Sequence, residues 1–187
     1  MKNGKIHAIA RWHRLDMAGD DTCRLVEEPD GWMLCGHARY ETGGTRAALD
    51  YIVRCTPTWE SRSADITGLI DGQDVAWRLL RTDAGWQLGD SPAALPDCLD
   101  IDLAFTPATN LLPLRRLAFD ETQAVAAAWF REDEDSGRLD RLDQRYTPRG
   151  AGRFTYASPG FEAELEVHAS GFVTRYPGLW EGTVDAE

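Results

Sequence analysis

Phe161-Glu162-Ala163-Glu164-Leu165-Glu166-Val167-His168 alternates apolar and polar side chains at every step. A period of two puts Phe161, Ala163, Leu165 and Val167 on one face of an extended strand, and the three glutamates with His168 on the other. One face is buried and one is wet. Ser170-Gly171 then supplies a tight turn and Phe172 to Tyr176 runs back, which makes a hairpin. The same pattern recurs upstream. Cys23 to Glu28 and Trp32 to Tyr40 flank Pro29-Asp30-Gly31, Val75 to Arg81 and Trp86 to Leu88 flank Asp83-Ala84-Gly85, and Asp71-Gly72 joins Ser61 to Ile70 with the strand that holds Trp77. Such repetition predicts a mainly all-β chain built as an antiparallel barrel or one curved antiparallel sheet.

Helix signals are few. Glu121 to Trp129 is alanine-rich but carries Val125 and ends on aromatic residues, and it reads as a strand. Arg131 to Arg141 reads as a solvated loop or hairpin tip turning at Asp135-Ser136-Gly137, and the tail after Trp180 is expected to be loose. No linker, repeat or low-complexity segment divides the chain, so residues 1–187 are read as a single domain.

The formal charge is -11, from 31 acidic and 20 basic residues, and Lys2 and Lys5 are the only lysines. A phosphate backbone or an anionic membrane surface would be repelled, which argues against a nucleic-acid partner. The apolar stretch Ile6 to Ala10 is broken by His7 and runs into Arg11, short of the roughly 7–15 apolar residues of a secretory signal. No stretch approaches the roughly 20 apolar residues of a membrane helix. The expected location is the cytoplasm. Cys23, Cys35, Cys55 and Cys98 are widely spaced, and no histidine stands at zinc-ligand distance from them. They read as reduced, buried side chains, with no metal and no cofactor expected.

The most informative polar segment is Cys98 to Leu117, which contains Leu99-Asp100-Ile101-Asp102-Leu103, Thr106-Pro107, Thr109-Asn110 and Leu112-Pro113-Leu114-Arg115-Arg116-Leu117. In a strand Asp100 and Asp102 share one face and need counter-charge, for which Arg115 and Arg116 are the nearest candidates. A general acid and base would need a cleft and a third polar partner. A structural pair needs only arginine forks, and Thr106, Thr109 and Asn110 suit a turn held by side-chain hydrogen bonds. The residues favour the structural use over the catalytic one. A contact with a ligand headgroup at a cavity mouth is compatible with it, and Asp100, Asp102, Thr106, Thr109, Asn110, Arg115 and Arg116 are its candidate residues.

This run resembles the central motif of the bacterial putative glycolipid-binding protein family. Trp59 with Arg62 after the strand Tyr51 to Cys55, Gln144-Arg145-Tyr146, and Tyr176-Pro177-Gly178-Leu179-Trp180 extend the resemblance over most of the chain from Trp12 onwards. Where the family has an acidic residue and a histidine after its first tryptophan, this chain has Asp20-Asp21-Thr22-Cys23. The resemblance implies a curved antiparallel sheet forming an open half-barrel with few short helices, similar to carriers that hold acyl chains of bacterial lipoproteins. It implies a glycolipid or fatty-acyl ligand in the concave face and assigns no catalytic residue.

Binding has a sound energetic basis, because each buried methylene contributes about 0.8 kcal/mol. Trp32, Trp77, Trp86 and Trp129 could line such a groove or simply fill the core. Two alternatives stand beside it. One is a hydrolase or isomerase acting on a lipid or sugar through Asp100 or Asp102; the other is a homodimeric interaction module pairing through a sheet edge.

Overall fold

The computed structural model describes residues 4–132 and 137–186. The first eight strands form an uninterrupted meander: β1 (Lys5–Arg14), β2 (Ala18–Glu28), β3 (Gly31–Thr42), β4 (Thr45–Cys55), β5 (Ser61–Ile70), β6 (Gln73–Thr82), β7 (Gly85–Leu88) and β8 (Ser91–Pro92). The chain then crosses to β9 (Asp100–Leu103), a 3₁₀ turn at Ala108–Asn110 and one helix, α1 (Leu111–Arg116). A second meander follows through β10 (Gln123–Arg131), β11 (Arg138–Gly150), β12 (Arg153–Ser158), β13 (Phe161–Val167), β14 (Val173–Tyr176) and β15 (Trp180–Ala186). All fifteen strands belong to one open, curved sheet that runs from β8 back to β1, then from β15 back to β9. Each neighbouring pair is antiparallel except β9 and β10, which are parallel.

The hairpins expected around Pro29-Asp30-Gly31, Asp71-Gly72, Asp83-Ala84-Gly85 and Ser170-Gly171 are all present, and Gln123–Arg131 is a strand. Alternation accounts for them. On β4, Ala47, Leu49, Tyr51, Val53 and Cys55 are buried in strict period two, beside Ala38, Leu34 and Ile66, their register partners on the adjoining strands. The turn expected at Asp135-Ser136-Gly137 involves Asp135 and Ser136, which lie outside the described residues.

The tail is not loose. Residues Trp180–Ala186 form β15, which pairs with β1 from Arg14↔Trp180 to Ala8↔Ala186 and with β14 at Tyr176↔Trp180. Without it, β1 and β14 would each expose a row of unpaired backbone groups. Trp180 anchors the strand, since it is buried and the Arg14 guanidinium lies 4.7 Å from its ring centroid.

Between the two meanders lies the crossing segment, whose Cys98, Ile101, Leu103, Phe105, Leu111 and Leu112 are fully buried in the core. Pro113 falls in the first turn of α1, where its missing N–H has no intrahelical partner to lose. The sheet edges are blunt. β8 is two residues ending at Pro92, and β9 is covered by Ser61, whose Oγ accepts from Ile101 N at 3.1 Å while its N–H donates to Leu99 O at 2.9 Å. Among the described residues, no helix is long and apolar enough to cross a membrane.

Candidate functional site

The register of β9 on β10 decides where the paired aspartates point. Asp100 stands beside Ala127 and Asp102 beside Trp129, so both carboxylates share the face of β10 that carries Val125 and, one strand further, its partner Gln144. Ile101 and Leu103 share the opposite face with Ala128 and Phe130, whose ring lies 5.3 Å from that of Trp77. The two aspartates then part company.

Asp100 is about 1% exposed and is gripped by Arg116, with Nε donating to Oδ1 at 3.1 Å and Nη2 to Oδ2 at 2.5 Å. Burial raises its carboxyl above the ordinary value, and the bidentate arginine opposes that rise. Arg115, the neighbour, turns away. It is exposed, and its guanidinium stacks 4.9 Å from the ring centroid of Trp59. Trp59 has φ 71° and is held by stacking on Trp32 at 4.5 Å and by its N–H donating to Thr56 O at 3.0 Å.

Asp102 accepts a hydrogen bond from Gln144 Nε2 at 2.5 Å and, among the described residues, has no arginine partner. Desolvation pushes its carboxyl up to about 6, with the Gln144 bond working against the rise; the residue as a whole is half-buried. Gln144 Oε1 in turn accepts from the Tyr146 hydroxyl at 3.3 Å, and Tyr146 accepts from Asn110 Nδ2 at 2.9 Å. Around this chain a row of rings leads from Phe119, in the segment before β10, over one face of β11 to β14: Phe119 to Tyr146 at 6.3 Å, Tyr146 to Tyr156 at 5.2 Å, Tyr156 to Tyr176 at 5.8 Å and Tyr176 to Phe161 at 5.9 Å; the three tyrosines are buried and Phe161 is exposed at its end. Burial and the nearby Asp102 push the Tyr156 hydroxyl up to about 12, so it stays protonated at neutral pH.

The crossing segment is tied to the first meander through a residue that motif reading passed over. Asp21 on β2 is about 1% exposed and accepts from the Tyr51 hydroxyl at 2.9 Å and from Thr106 Oγ1. Among the described residues, no arginine or lysine bonds it. Burial pushes its carboxyl up to about 6 despite those hydrogen bonds. Thr106 Oγ1 also accepts from Ala108 N at 3.0 Å, and Thr109 Oγ1 accepts from Leu103 N at 3.2 Å, so both close local turns. The strand alternation Asp21, Cys23, Leu25 was the available signal that Asp21 points inward.

The seven residues selected from sequence therefore divide. Asp100, Thr106, Thr109 and Asn110 are buried and hydrogen-bonded within the protein, Arg116 closes over Asp100, Asp102 is half-buried and Arg115 is exposed. Chemically, Asp102 is a carboxylate with acceptor capacity left for a sugar hydroxyl, and the buried Gln144 and tyrosine rings hold it in place. Trp86 donates from Nε1 to Cys98 O at 2.8 Å as part of the core, while Trp129 lies under Arg131, whose guanidinium is 4.4 Å from its centroid. The four cysteines are free thiols, with Cys35 half-buried and the others buried. Among the described residues, no three histidine, cysteine or acidic side chains gather as metal ligands do.

An open curved antiparallel sheet, crossed on its inner side by one polar and apolar segment, defines the architectural class. The family model described as "Putative glycolipid-binding" matches residues 9–182, and the chain belongs to that family. A crystal structure at 1.80 Å resolution of a Pseudomonas aeruginosa protein, described as a DUF1089 family protein, is similar to it with a TM-score of 0.73 and 30% sequence identity. The similarity covers 87% of this chain and 91% of that one. No curated protein matches the chain significantly.

Proposed function

We propose that the chain binds a glycolipid without converting it, using the inner face of β11 to β14. In this reading the sugar hydroxyls meet Asp102, and the apolar part of the ligand runs along the rings from Phe119 to Phe161. The juxtaposition of the half-buried Asp102 with a continuous aromatic row is the observation that supports it most. The description of the family supports the ligand class. The facing half of the molecule is a poorer host, because the crossing segment fills it with Ile101, Leu103 and Phe105. Catalysis through Asp100 is disfavoured, since the carboxylate is held bidentately by Arg116 and is closed to solvent.

Native mass spectrometry of the protein purified from its own host tests this. A co-purifying glycolipid adduct at near-stoichiometric amount is expected, and its mass would name the headgroup. Repeated recovery of empty protein that also fails to take up glycolipid probes would contradict the reading.

A further inference from the structure

A second feature lies where α1, the β11–β12 turn and the β13–β14 turn converge. They border an open groove of about 440 Å³, within the range of roughly 300–1,000 Å³ common for small-molecule sites. Its walls include Leu114, Phe154 and Val167, and its polar groups include Arg115 and His168. Phe154 packs edge-on against Phe119 at 5.0 Å, so the groove adjoins the start of the aromatic row.

Both polar groups are presented as donors. Arg115 has no carboxylate within ion-pair distance among the described residues, and the Trp59 ring supports its planar face, leaving N–H groups to bond a ligand. Trp59 itself is fixed in a left-handed conformation by its stacking and backbone bond. His168 Nδ1 accepts the Ser170 backbone N–H at 3.1 Å. A backbone amide can only donate, so Nδ1, which also lies 3.0 Å from Ser170 Oγ, acts as the acceptor and Nε2 is the ring nitrogen left to donate. An Arg fork and an imidazole N–H in one apolar recess match an anion with a hydrocarbon attached. In a chain of net charge -11, loose anion attraction does not explain such a pair.

We propose that this groove takes the anionic group of an amphiphile, a phosphate, sulfate or carboxylate, with Arg115 and His168 bonding the anion and Leu114, Phe154 and Val167 covering the adjoining methylenes. The inference rests on the lipid-binding reading for its apolar part and adds a charge requirement to it.

The test titrates the protein with dodecyl phosphate, inorganic phosphate and the neutral glycolipid analogue dodecyl maltoside, each amphiphile below its micelle concentration, followed by tryptophan fluorescence and calorimetry. One dodecyl phosphate per chain is expected, with Arg115→Gln weakening it about tenfold or more and Arg115→Lys recovering part of the loss. Ala169→Phe, an exposed position on the groove wall, is expected to block it. Undiminished dodecyl phosphate binding by Arg115→Gln overturns the proposal, and so does inorganic phosphate binding as tightly as dodecyl phosphate, which would mark a free-anion site. Dodecyl maltoside bound by the wild type without any uptake of dodecyl phosphate overturns the charged groove and leaves the glycolipid reading standing. Failure of both amphiphiles overturns the two together.

Discussion

Asp21 and Asp100 are equally buried, yet one is neutralised by an arginine fork and the other is met by two hydroxyls and the Thr22 backbone. The difference has consequences for stability. Asp21 has a folded-state value of about 6 against an ordinary 3.8, so between about pH 4 and 6 the folded protein holds a proton that the unfolded chain has released. Stability from this group is therefore greatest below about pH 4 and falls as pH rises through 6, by on the order of 3 kcal/mol. Asp21→Asn should remove that slope, so urea denaturation at pH 4.5 and 7.5 should show the variant gaining on the wild type as pH rises. Asp100→Asn removes one half of an ion pair. It leaves Arg116 without its counter-charge in a mostly buried position, and a loss of about 3 kcal/mol at neutral pH is expected in the same measurement. A melting curve unchanged by that substitution would show that the pair does not brace the fold. At this scale the sequence was partly legible. The shared face of Asp100 and Asp102 followed from alternation, but their separate partners did not, because Gln144 is reached only through the parallel pairing of β9 with β10.

At the scale of elements, hairpins were legible because turn residues and period-two burial are local signals. α1 was not, since six residues with an internal proline show no helical period, and its position is fixed by Leu111 and Leu112 packing in the core. β15 was missed for a different reason. Glu181-Gly182-Thr183-Val184-Asp185-Ala186 carries little apolar alternation, and its stability comes from pairing on both sides with β1 and β14. Gly182 also packs beneath Trp12, where an added Cβ would come within 2.3 Å of the ring. Deleting residues 181–187 should sever the link between the two meanders. The expected outcome is a cooperative melt lowered steeply or lost, together with aggregation from the exposed edges of β1 and β14, as read by calorimetry and light scattering.

Across the whole molecule, two meanders meet at β1 and β15, and the crossing segment holds them in their curve from inside. Thr106 reaches Asp21 and Tyr51 on the first meander, while Asp102 and Asn110 reach Gln144 and Tyr146 on the second. An antiparallel curved sheet was legible from strand spacing and the family motif. The division of labour between halves was not, because it depends on which face the crossing segment fills. That segment fills the first half with apolar side chains, while the second half is filled by its own tyrosine row and carries the half-buried Asp102.

Hydrogen–deuterium exchange with and without dodecyl maltoside tests the glycolipid assignment most directly, because it reports which half of the sheet responds. Slower exchange is predicted in β11 to β14, around Gln144, Tyr146, Tyr156 and Tyr176, with β3 to β6 unchanged. Protection confined to β3 to β6, or no protection at saturating ligand, would contradict it.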